Sequence, residues 1–299
     1  MNLAASVVLY NPIEEVFDNI KSYADFVDTL ILIDNSDKRN INLINNLVSH
    51  YKDKLIYIDN KKNLGIATAL NIASNKAISL GYQWLLTMDQ DSAFINFEHY
   101  KDCLLSIENC SDIGLLAANT TRNAKEQCPL NPSMKYEEKF IVITSANIIN
   151  LKYFDAIGHF DDKLFIDMVD YDFCAKIRKE NLRILYFKDV LVEHALGEVF
   201  LRQNLLTRKS KLKREHNSQR AYYIARNSLY LSKKYRNIFP EEFALLKTIN
   251  IIFIHDLTKI LLYEEDKINK IKAKFIALYH FLIGKYGKYN LKLNRNNKG

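Results

Sequence analysis

The stretch Trp84-Leu-Leu-Thr-Met-Asp89-Gln-Asp91 decides the fold, because an apolar strand of five residues runs directly into two carboxylates. Strands that are buried on both faces of a parallel sheet have this composition. In open α/β sheets, ligands bind beyond the carboxyl ends of the strands. We therefore expect Asp89 and Asp91 on a tight turn in a cleft. Two carboxylates there suit a hard divalent cation that a diphosphate also binds, although the spacing alone is common.

The rest of the first half alternates short β-rich runs with helical patterns, which is typical of βαβ units and a largely parallel sheet. Strands are predicted at 4–9, 30–33, 55–58, 84–88, 113–118, 140–144, 183–187 and 191–194. Helices are predicted from Pro12 onward and at 41–51, 66–80, 97–107 and 171–180, and after Phe200 the pattern is wholly helical, near 219–235, 241–262 and 267–286. The sequence predicts an α/β catalytic domain over 1–215 and a helical, basic region over 216–299 packed on it.

Composition excludes several classes of protein. With 299 residues, 48% of them hydrophobic, the chain can bury a substantial core and is neither disordered nor fibrous. The N-terminus lacks the basic start of a signal peptide, and charged residues interrupt the longest apolar stretch, 245–263, so no membrane span is expected. The four cysteines have no metal-binding spacing, which favours reduced structural thiols in the cytoplasm.

The net charge of +7 conceals a strong division along the chain. Residues from Phe200 onward carry a net charge of +15, whereas the first 199 residues carry −8. An acidic half suits a metal site, and a basic helical half suits anionic lipid, a lipid-diphosphate acceptor or nucleic acid. A solvated basic face explains the second half equally well, so these alternatives stay open.

Polar residues follow three consecutive predicted strands. These residues are Asp34 and Asn35, then Asn63 and Gly65, then Asp89 and Asp91. Each pair alone is explained by the preference of Asp, Asn and Gly for turns and helix caps. Their repetition at neighbouring strand ends favours a ligand-binding edge.

A second acidic cluster, Asp167, Asp170 and Asp172, precedes a helical run. The helix dipole stabilises acids at a helix start, which is the structural explanation. The functional explanation is a general base that deprotonates an acceptor hydroxyl. Asp170 is the candidate, because Asp172 should point elsewhere on the same turn.

His194 ends a predicted strand in the acidic half. A single histidine is more often a packed or surface residue than a ligand, but its position at a strand end makes it a candidate third metal ligand.

These segments, in this order, resemble the family 2 glycosyltransferases, specifically the bacterial rhamnosyltransferase branch. The matching segments are Val8-Leu-Tyr-Asn11, Ile33-Asp-Asn-Ser36, Asn63-Leu-Gly-Ile-Ala67 with Asn71, Leu86-Thr-Met-Asp-Gln-Asp-Ser92, Thr144-Ser-Ala-Asn147, Gly158-His-Phe-Asp161, Leu164-Phe-Ile-Asp167, Val169-Asp-Tyr-Asp172, His194-Ala-Leu-Gly197 and Arg220-Ala-Tyr-Tyr-Ile-Ala-Arg226-Asn227. The resemblance runs from residue 4 to about residue 235 and is far more specific than any single motif.

The resemblance implies a GT-A fold, a Rossmann-like and mostly parallel sheet, with residues after the early strands holding a nucleotide sugar. The implied nucleotide-sugar contacts are Tyr10, Asn11, Asp34, Asn63, Gly65, Asp89 and Arg226. Asp91, with Asp89 and His194, would hold Mg²⁺ or Mn²⁺, and Asp170 would be the base of an inverting, single-displacement transfer.

Two departures from the family pattern concern the acceptor side. Val169 occupies a position where many relatives carry an acid, so Asp170 must act alone or with Asp167. Ser145-Ala146 replaces a common Ser-Gly, which narrows that side of the site.

The expected activity is transfer of L-rhamnose from dTDP-L-rhamnose onto a lipid-linked bacterial surface polysaccharide at the cytoplasmic membrane face. The main alternative donor is a UDP-linked galactofuranose or hexose. An alternative from another class is a basic nucleic-acid- or membrane-binding protein, although no nucleic-acid-binding motif is recognised. A nucleotidyltransferase would need a glycine-rich basic loop after the first strand, where Tyr10-Asn11-Pro12-Ile13 has none.

Overall fold

The computed structural model describes residues 2–107, 111–122, 124–194, 199–204, 208 and 210–291. Its strands are β1 Leu3–Leu9, β2 Thr29–Asp34, β3 Leu55–Asp59, β4 Trp84–Asp89, β5 Ser92–Phe94, β6 Ile113–Thr121, β7 Glu137–Glu138, β8 Asn147–Asn150, β9 Arg183–His194, β10 Val199–Gln203 and β11 Ser210–Arg214. Its helices are α1 Glu15–Ala24, α2 Ile41–Tyr51, α3 Ile66–Ser79, α4 Phe97–Ile107, α5 Ala124–Gln127, α6 Phe154–Ile157, α7 Val169–Lys179, α8 Ser218–Tyr235, α9 Leu245–Asn250, α10 Asp256–Tyr263 and α11 Lys267–Leu282. Short 3₁₀ helices at Lys52–Lys54 and Leu151–Tyr153 and a π-helical turn at Ile251–His255 complete the regular structure.

Strands β1 to β9 form one sheet with the order β3-β2-β1-β4-β8-β6-β9-β5, and β7 pairs with β9. Strands β1 to β4 are mutually parallel, with β1 between β2 and β4. Their carboxyl ends therefore lie along one edge of the sheet. Strand β8 runs antiparallel between β4 and β6, and β5 runs antiparallel to β9. The expectation of a mostly parallel α/β sheet with C-terminal helices is confirmed.

The apolar runs form the centre of this sheet because helices cover both of its faces. All seven residues of β1 are buried. Helix α1 buries Val16, Ile20 and Tyr23 against the same core, one side chain per turn. Trp84 of β4 is also fully buried. This packing holds the strand ends in fixed positions for the polar residues that follow them.

One predicted strand, 140–144, is wrong, because the strand in this region is β8, Asn147–Asn150. Pairing with β4 starts only after Ala146, which has a positive φ of 64° and donates its N–H to the carbonyl of Thr87. Thr144 also accepts a hydrogen bond from the Thr87 hydroxyl at 2.8 Å. Residues 140–144 therefore have the composition of a strand, but they do not pair with a neighbouring strand.

Two predicted boundaries also differ from the structure. Helix α1 begins at Glu15 with Glu14 as its N-cap, so Pro12 lies before the helix rather than in its first turn. The predicted strands 183–187 and 191–194 form one strand, β9, whose pairing with β6 changes register between Ala118 and Asn119.

The chain divides into two units: Met1–Asp162 with Val169–Leu196, and Lys163–Met168 with Gly197–Gly299. The prediction that the region after Phe200 is wholly helical is wrong, because β10 and β11 form an antiparallel hairpin. The segments Phe200-Leu-Arg-Gln and Lys211-Leu-Lys alternate apolar and polar residues, which is the period of a strand. The hairpin belongs to the second unit.

The second unit packs helix α8 against α11 around an aromatic core. Tyr222 and Leu229 of α8 pack in one cluster with Ala273 and Ala277 of α11 and Ile252 of the π-helical turn. Within the residues that the structure describes, no helix is both long and apolar enough to span a bilayer.

A buried charge network ties the hairpin to the turn between α10 and α11. Glu215 accepts hydrogen bonds from Arg202 at 2.7 Å and from Lys270, and Lys270 also donates to Glu264 at 2.9 Å. Burial alone raises the pKa of Glu215, but the hydrogen bonds from Lys270 and Arg202 outweigh it and leave the pKa below its ordinary value. Ionised Glu215 therefore stabilises the folded second unit.

The stability of the second unit is expected to fall as the pH drops below about 4.3, the ordinary value for Glu. Because the folded pKa of Glu215 is lowered, its contribution is complete above the unfolded pKa and disappears as the pH falls through the folded one. Urea unfolding of wild type and Glu215→Gln across this range measures the effect. The variant should be less stable at neutral pH and show a flatter acid profile, and parallel profiles for both proteins would contradict this role.

Candidate functional site

The acidic triplet lies at the junction of β4 and β5, as the sequence predicts. Asp89 is the last residue of β4, and Ser92 begins β5. Because β5 runs antiparallel to β9, Ser92 is paired in register with His194, the last residue of β9. This pairing brings His194 to the triplet although more than a hundred residues separate them. One potential ligand atom from each of Asp89, Asp91 and His194 lies within 4.8 Å of the others.

A chain of hydrogen bonds orients the histidine. The Asp89 N–H donates to Ser145 Oγ at 3.1 Å, and the Ser145 hydroxyl donates to Ser92 Oγ at 2.8 Å. Ser92 Oγ lies 2.6 Å from His194 Nδ1, which is in turn 3.4 Å from Asp91 Oδ1. Ser92 Oγ can also accept a hydrogen bond from the ring Nδ1–H, and in that tautomer the Nε2 lone pair is left for a metal. A neutral imidazole in a fixed orientation is the form that binds metals.

These three residues fit a divalent cation. Ligands of one Mg²⁺ lie about 2.1 Å from the ion, so two of them are separated by at most about 4.2 Å. The observed separations of up to 4.8 Å come within this limit after side-chain shifts of a few tenths of an ångström. Two carboxylates with one imidazole suit Mg²⁺ or Mn²⁺. The Asp91 side chain is 47% exposed and that of His194 is 13% exposed, so a ligand can reach the cluster on the Asp91 side.

Gln90, the middle residue of the triplet, connects the metal-binding candidates to the end of β1. Its side-chain amide accepts from the Tyr10 N–H at 2.8 Å and donates to the Tyr10 carbonyl at 3.2 Å. The Asn19 amide also donates to the Gln90 carbonyl at 2.9 Å. Sequence reasoning assigned no role to Gln90, although a side-chain amide between two acids at a strand end was the available signal.

Tyr10 and Asn11 follow β1 and are held from two sides. The Tyr10 hydroxyl donates to Asp37 at 2.9 Å, and its ring is 44% exposed. That hydrogen bond, with burial and the charge of Asp37, raises the pKa of Tyr10, so the phenol stays protonated at neutral pH. Asn11 has a positive φ of 46°, and its N–H donates to Ser36 Oγ at 2.8 Å. Both residues are therefore presented on a preformed turn.

Asp34 differs from the expectation that it contacts the nucleotide. It is 1% exposed, and its two carboxylate oxygens accept hydrogen bonds from the Ser36 N–H at 2.8 Å and the Tyr57 hydroxyl at 2.7 Å. Burial, the bond to Asp34 and nearby carboxylates raise the pKa of Tyr57. Each carboxylate oxygen could accept a second hydrogen bond, but at this exposure a ligand does not reach Asp34 in this structure. In this structure Asp34 instead positions Ser36, which in turn holds Asn11.

Side-chain amides link the ends of β2 and β3 to the start of α3. The Asn63 carbonyl oxygen accepts from the Gly65 N–H at 2.9 Å, and Asn35 donates to the Gly65 carbonyl at 3.0 Å. Asn60 donates to Asn35 at 2.8 Å. Gly65, the N-cap of α3, has a φ of 90°, a conformation that residues with a Cβ rarely adopt. The structure therefore brings Asn63 and Gly65 together, as predicted, in a rigid turn before a helix N-terminus.

A cleft of about 390 Å³ opens between the turn after β1 and the start of α2. Its lining residues are Asn11, Pro12, Lys38, Arg39, Asn40, Ile41 and Asn42. The cleft is polar and partly basic, which suits a nucleotide more than an apolar ligand.

Asp170 and Asp172 occupy different environments in the first turn of α7. Asp172 is fully buried and lies 3.1 Å from Lys176 Nζ, which also donates to the carbonyls of Gly158 and His159. Asp170 is partly exposed, and its Oδ1 accepts from the Tyr171 N–H at 3.0 Å. Of these two acids, only Asp170 is presented to solvent.

Arg226 requires a correction, because it is fully buried. Its guanidinium donates to Asn227, to the Tyr222 hydroxyl and to the carbonyls of Gly287, Lys163 and Leu164, at 2.8–3.2 Å. All five N–H donors of an arginine are thus used within the protein. In this structure Arg226 is unavailable to a nucleotide sugar and holds the backbone of its own unit.

Asn227 completes this support of the segment Lys163–Met168. Its amide lies 2.9 Å from each of the carbonyls of Leu164, Ile166 and Asp167. The segment contains three non-glycine residues with positive φ, namely Phe165, Asp167 and Met168. Such conformations are costly and persist only where the surroundings enforce them.

Asn227→Ala is expected to destabilise the protein by about 2–4 kcal/mol, because it leaves buried carbonyls without a donor. Urea unfolding of purified protein measures the loss. The exposed Asn237→Ala provides a control that should change stability by less than about 0.5 kcal/mol. Equal stability of Asn227→Ala and wild type would show that the strained segment does not depend on this amide.

Comparison with known proteins gives a consistent result. Residues 7–158, about half of the chain, match the family model for glycosyl transferase family 2. The dTDP-rhamnosyl transferase RfbF of Shigella flexneri is 25% identical over 295 residues, covering 92% of this chain and 94% of that protein.

Solved structures show the same fold at low identity. S. aureus TarS aligns with a TM-score of 0.58 at 14% identity over 95% of this chain, which spans about half (49%) of that protein. The mannosyltransferase PcManGT of Pyrobaculum calidifontis, in complex with GDP-Man and Mn²⁺, aligns with a TM-score of 0.57 at 14% identity over 96% of this chain and 76% of that one.

Proposed function

The chain belongs to glycosyl transferase family 2, and from that premise we propose that it transfers L-rhamnose from dTDP-L-rhamnose with inversion at the anomeric carbon. The observation that carries the metal-dependent part is the convergence of Asp89, Asp91 and His194 at the end of β4. The proposal of rhamnose rests on the similarity to a dTDP-rhamnosyl transferase over nearly the whole chain. The proposed acceptor is a growing, lipid-linked surface polysaccharide at the cytoplasmic face of the membrane.

The donor is proposed to bind along the carboxyl ends of β1 to β4. The exposed Tyr10 ring offers a stacking surface for a base, and Asn11 adds polar groups beside it. Asn63 and Gly65 place the N-terminus of α3 at the same edge, where free backbone N–H groups favour phosphate oxygens. Asp34 contributes indirectly, through the turn that holds Asn11.

Asp91, Asp89 and His194 would hold the cation, either Mn²⁺ or Mg²⁺, against the donor diphosphate. A bound divalent cation supplies positive charge that stabilises the departing nucleoside diphosphate. Ser92 orients His194, and Ser145 orients Ser92. These hydroxyls keep the imidazole in the cluster while leaving Asp91 accessible.

Asp170 is the proposed general base. Its carboxylate takes the proton of the acceptor hydroxyl as that oxygen forms a bond to the anomeric carbon of rhamnose. The bond between this carbon and the diphosphate oxygen breaks, and its electron pair leaves with dTDP. Attack and departure on opposite faces invert the configuration. The proton ends on Asp170, and the negative charge ends on the diphosphate.

Ser92→Ala is expected to weaken Mn²⁺ binding by about 10–100-fold, as losses of an outer-shell partner of a metal ligand do. The hydroxyl that orients His194 is removed while every proposed ligand remains. Mn²⁺ electron paramagnetic resonance titration measures the affinity, with Ser79→Ala on α3 as a control that should match wild type. Unchanged affinity in Ser92→Ala would remove Ser92 from the site.

The proposed function is tested by a donor panel. The full chain is incubated with Mn²⁺ and either dTDP-rhamnose, UDP-galactofuranose, UDP-GlcNAc or GDP-mannose, and binding and slow donor hydrolysis are recorded. Tighter binding and faster hydrolysis of dTDP-rhamnose are expected. Preference for a UDP-sugar would replace the proposed donor, and failure to bind any nucleotide sugar would contradict the proposed function.

A further inference from the structure

The outer faces of the C-terminal helices expose an unusual number of large apolar side chains. On α11, residues 268, 275, 279 and 282 are spaced by whole helical turns and so share one face. On the stretch from the π-helical turn through α10, residues 251, 254 and 261 form a similar row. We define the apolar face as Ile251, Ile254, Leu261, Ile268, Phe275, Tyr279 and Leu282, each between 47% and 71% exposed.

The opposite sides of the same helices are already used for packing. Ile252, Ala273 and Ala277 lie in the core cluster with Tyr222 of α8. The side chains of the apolar face therefore do not contribute to the core of this unit. Exposed apolar surfaces of this kind mark binding sites for proteins or membranes.

The two rows of the apolar face are joined. The rings of Phe253 and Phe275 are 5.9 Å apart, which brings the first row beside the second. Lys274 pairs with Asp256 at 2.8 Å and links the same two helical stretches. These contacts place the two helical stretches that carry the rows side by side.

The charges around the apolar face indicate which kind of partner it would bind. Lys272 lies within the α11 row, is exposed, and makes no ion pair among the described residues, and exposed Lys247 precedes the other row. Of the four acids in residues 245–282, Asp256 and Glu264 pair with lysines, Glu265 pairs with Arg202 at 2.9 Å, and Asp266 accepts from the Asn269 amide at 2.6 Å. An apolar face with exposed Lys272 within its row and exposed Lys247 before it suits the surface of an anionic bilayer, where apolar side chains enter the interface and lysines meet headgroups.

A second copy of the chain fits this surface less well. In a two-fold symmetric contact the same patch meets itself, which would take Lys272 of each copy out of water inside the interface. At an anionic lipid surface Lys272 instead meets the headgroups.

We propose that the apolar face docks the protein onto an anionic membrane surface, with the helices lying in the interface. This inference goes beyond the proposed transfer reaction and depends on none of its residues. It would bring the enzyme to the compartment of a lipid-linked acceptor.

The test is flotation of the full chain with vesicles of phosphatidylcholine, alone or mixed with phosphatidylglycerol. Wild type should float with the mixed vesicles, and added salt should weaken this binding. The double variant Phe275→Asp with Leu282→Asp should bind at least about tenfold more weakly, because each buried side chain of this size contributes about tenfold or more. Lys272→Gln should lose about fivefold on the mixed vesicles.

Leu130→Asp is the matched control, since Leu130 is 99% exposed in the other unit, and it should float like wild type. Melting temperatures equal to that of wild type verify that the variants fold. Absence of flotation, or flotation that the double variant retains, overturns the proposal. A wild-type dimer in light scattering that the double variant dissociates would assign the face to a second copy instead. Nucleotide-sugar binding, measured in parallel, separates failure of this proposal from failure of the proposed function.

Discussion

Asp170→Asn is expected to leave donor binding intact and to lower the rate of reaction by about 10²–10⁴-fold, the contribution of a positioned general base. The amide keeps the size of the side chain and its acceptor for the Tyr171 N–H but cannot take a proton at neutral pH. Because the acceptor is unidentified, the rate is measured as hydrolysis of dTDP-rhamnose with Mn²⁺. Donor affinity is measured separately by calorimetry.

Asp172→Asn provides the comparison for this prediction. Asp172 is buried and paired with Lys176, so its replacement should lower the melting temperature through loss of a buried ion pair. The rate per folded molecule should fall far less than in Asp170→Asn. If Asp170→Asn keeps a rate within about threefold of wild type, far less than a general base contributes, Asp170 is not the base.

Asp91→Ala is expected to abolish metal-dependent donor binding. The change removes a proposed ligand from the cluster of Asp89, Asp91 and His194. Loss of an outer-shell partner weakens metal binding by about 10–100-fold, and loss of a ligand should weaken Mn²⁺ binding further. Donor affinity measured with Mn²⁺ should then equal that of wild type in excess EDTA. Asp53→Ala, on an exposed 3₁₀ turn, should behave as wild type.

The division of roles between Asp91 and Asp170 is what these two variants decide together. Binding should be lost in the first and retained in the second. Equal loss of donor binding in both variants would refute the separation of metal binding from proton transfer.

The parallel half of the fold was predictable because its signals are local. Buried strands such as β1 and β4 are continuous apolar runs, and α2 and α4 lie where their helical periodicity indicates. The antiparallel elements were harder to predict. The strand β8 depends on a left-handed turn at Ala146 that lets Asn147 pair with Thr87, and composition does not report this pairing.

The sequence was sufficient to name the metal-binding candidates but not to predict that they lie close together. Strand ends and acidic residues suggested Asp89, Asp91 and His194, whereas their convergence follows from the antiparallel pairing of Ser92 with His194. Ser92 and Ser145 became recognisable as orienting groups only from this pairing and the hydrogen bonds around it.

Arg226 and Asp34 show the limit of reading ligand contacts from residue type. Both are charged residues in segments that resemble the family, and charge in such segments suggests ligand contacts. The structure satisfies Arg226 with carbonyls and Asp34 with a tyrosine hydroxyl and a backbone N–H. Some of these partners, such as Gly287 for Arg226 and Tyr57 for Asp34, are distant in sequence, so residue type alone does not separate a ligand contact from a structural one.

The central claim is that Asp89, Asp91 and His194 hold a divalent cation that binds the donor diphosphate. Calorimetric titration of dTDP-rhamnose into the wild-type chain, once with Mn²⁺ and once with excess EDTA, tests it most directly. We predict binding with Mn²⁺ that is at least about tenfold tighter, a difference of about 1.4 kcal/mol. Equal affinity under both conditions would contradict the claim.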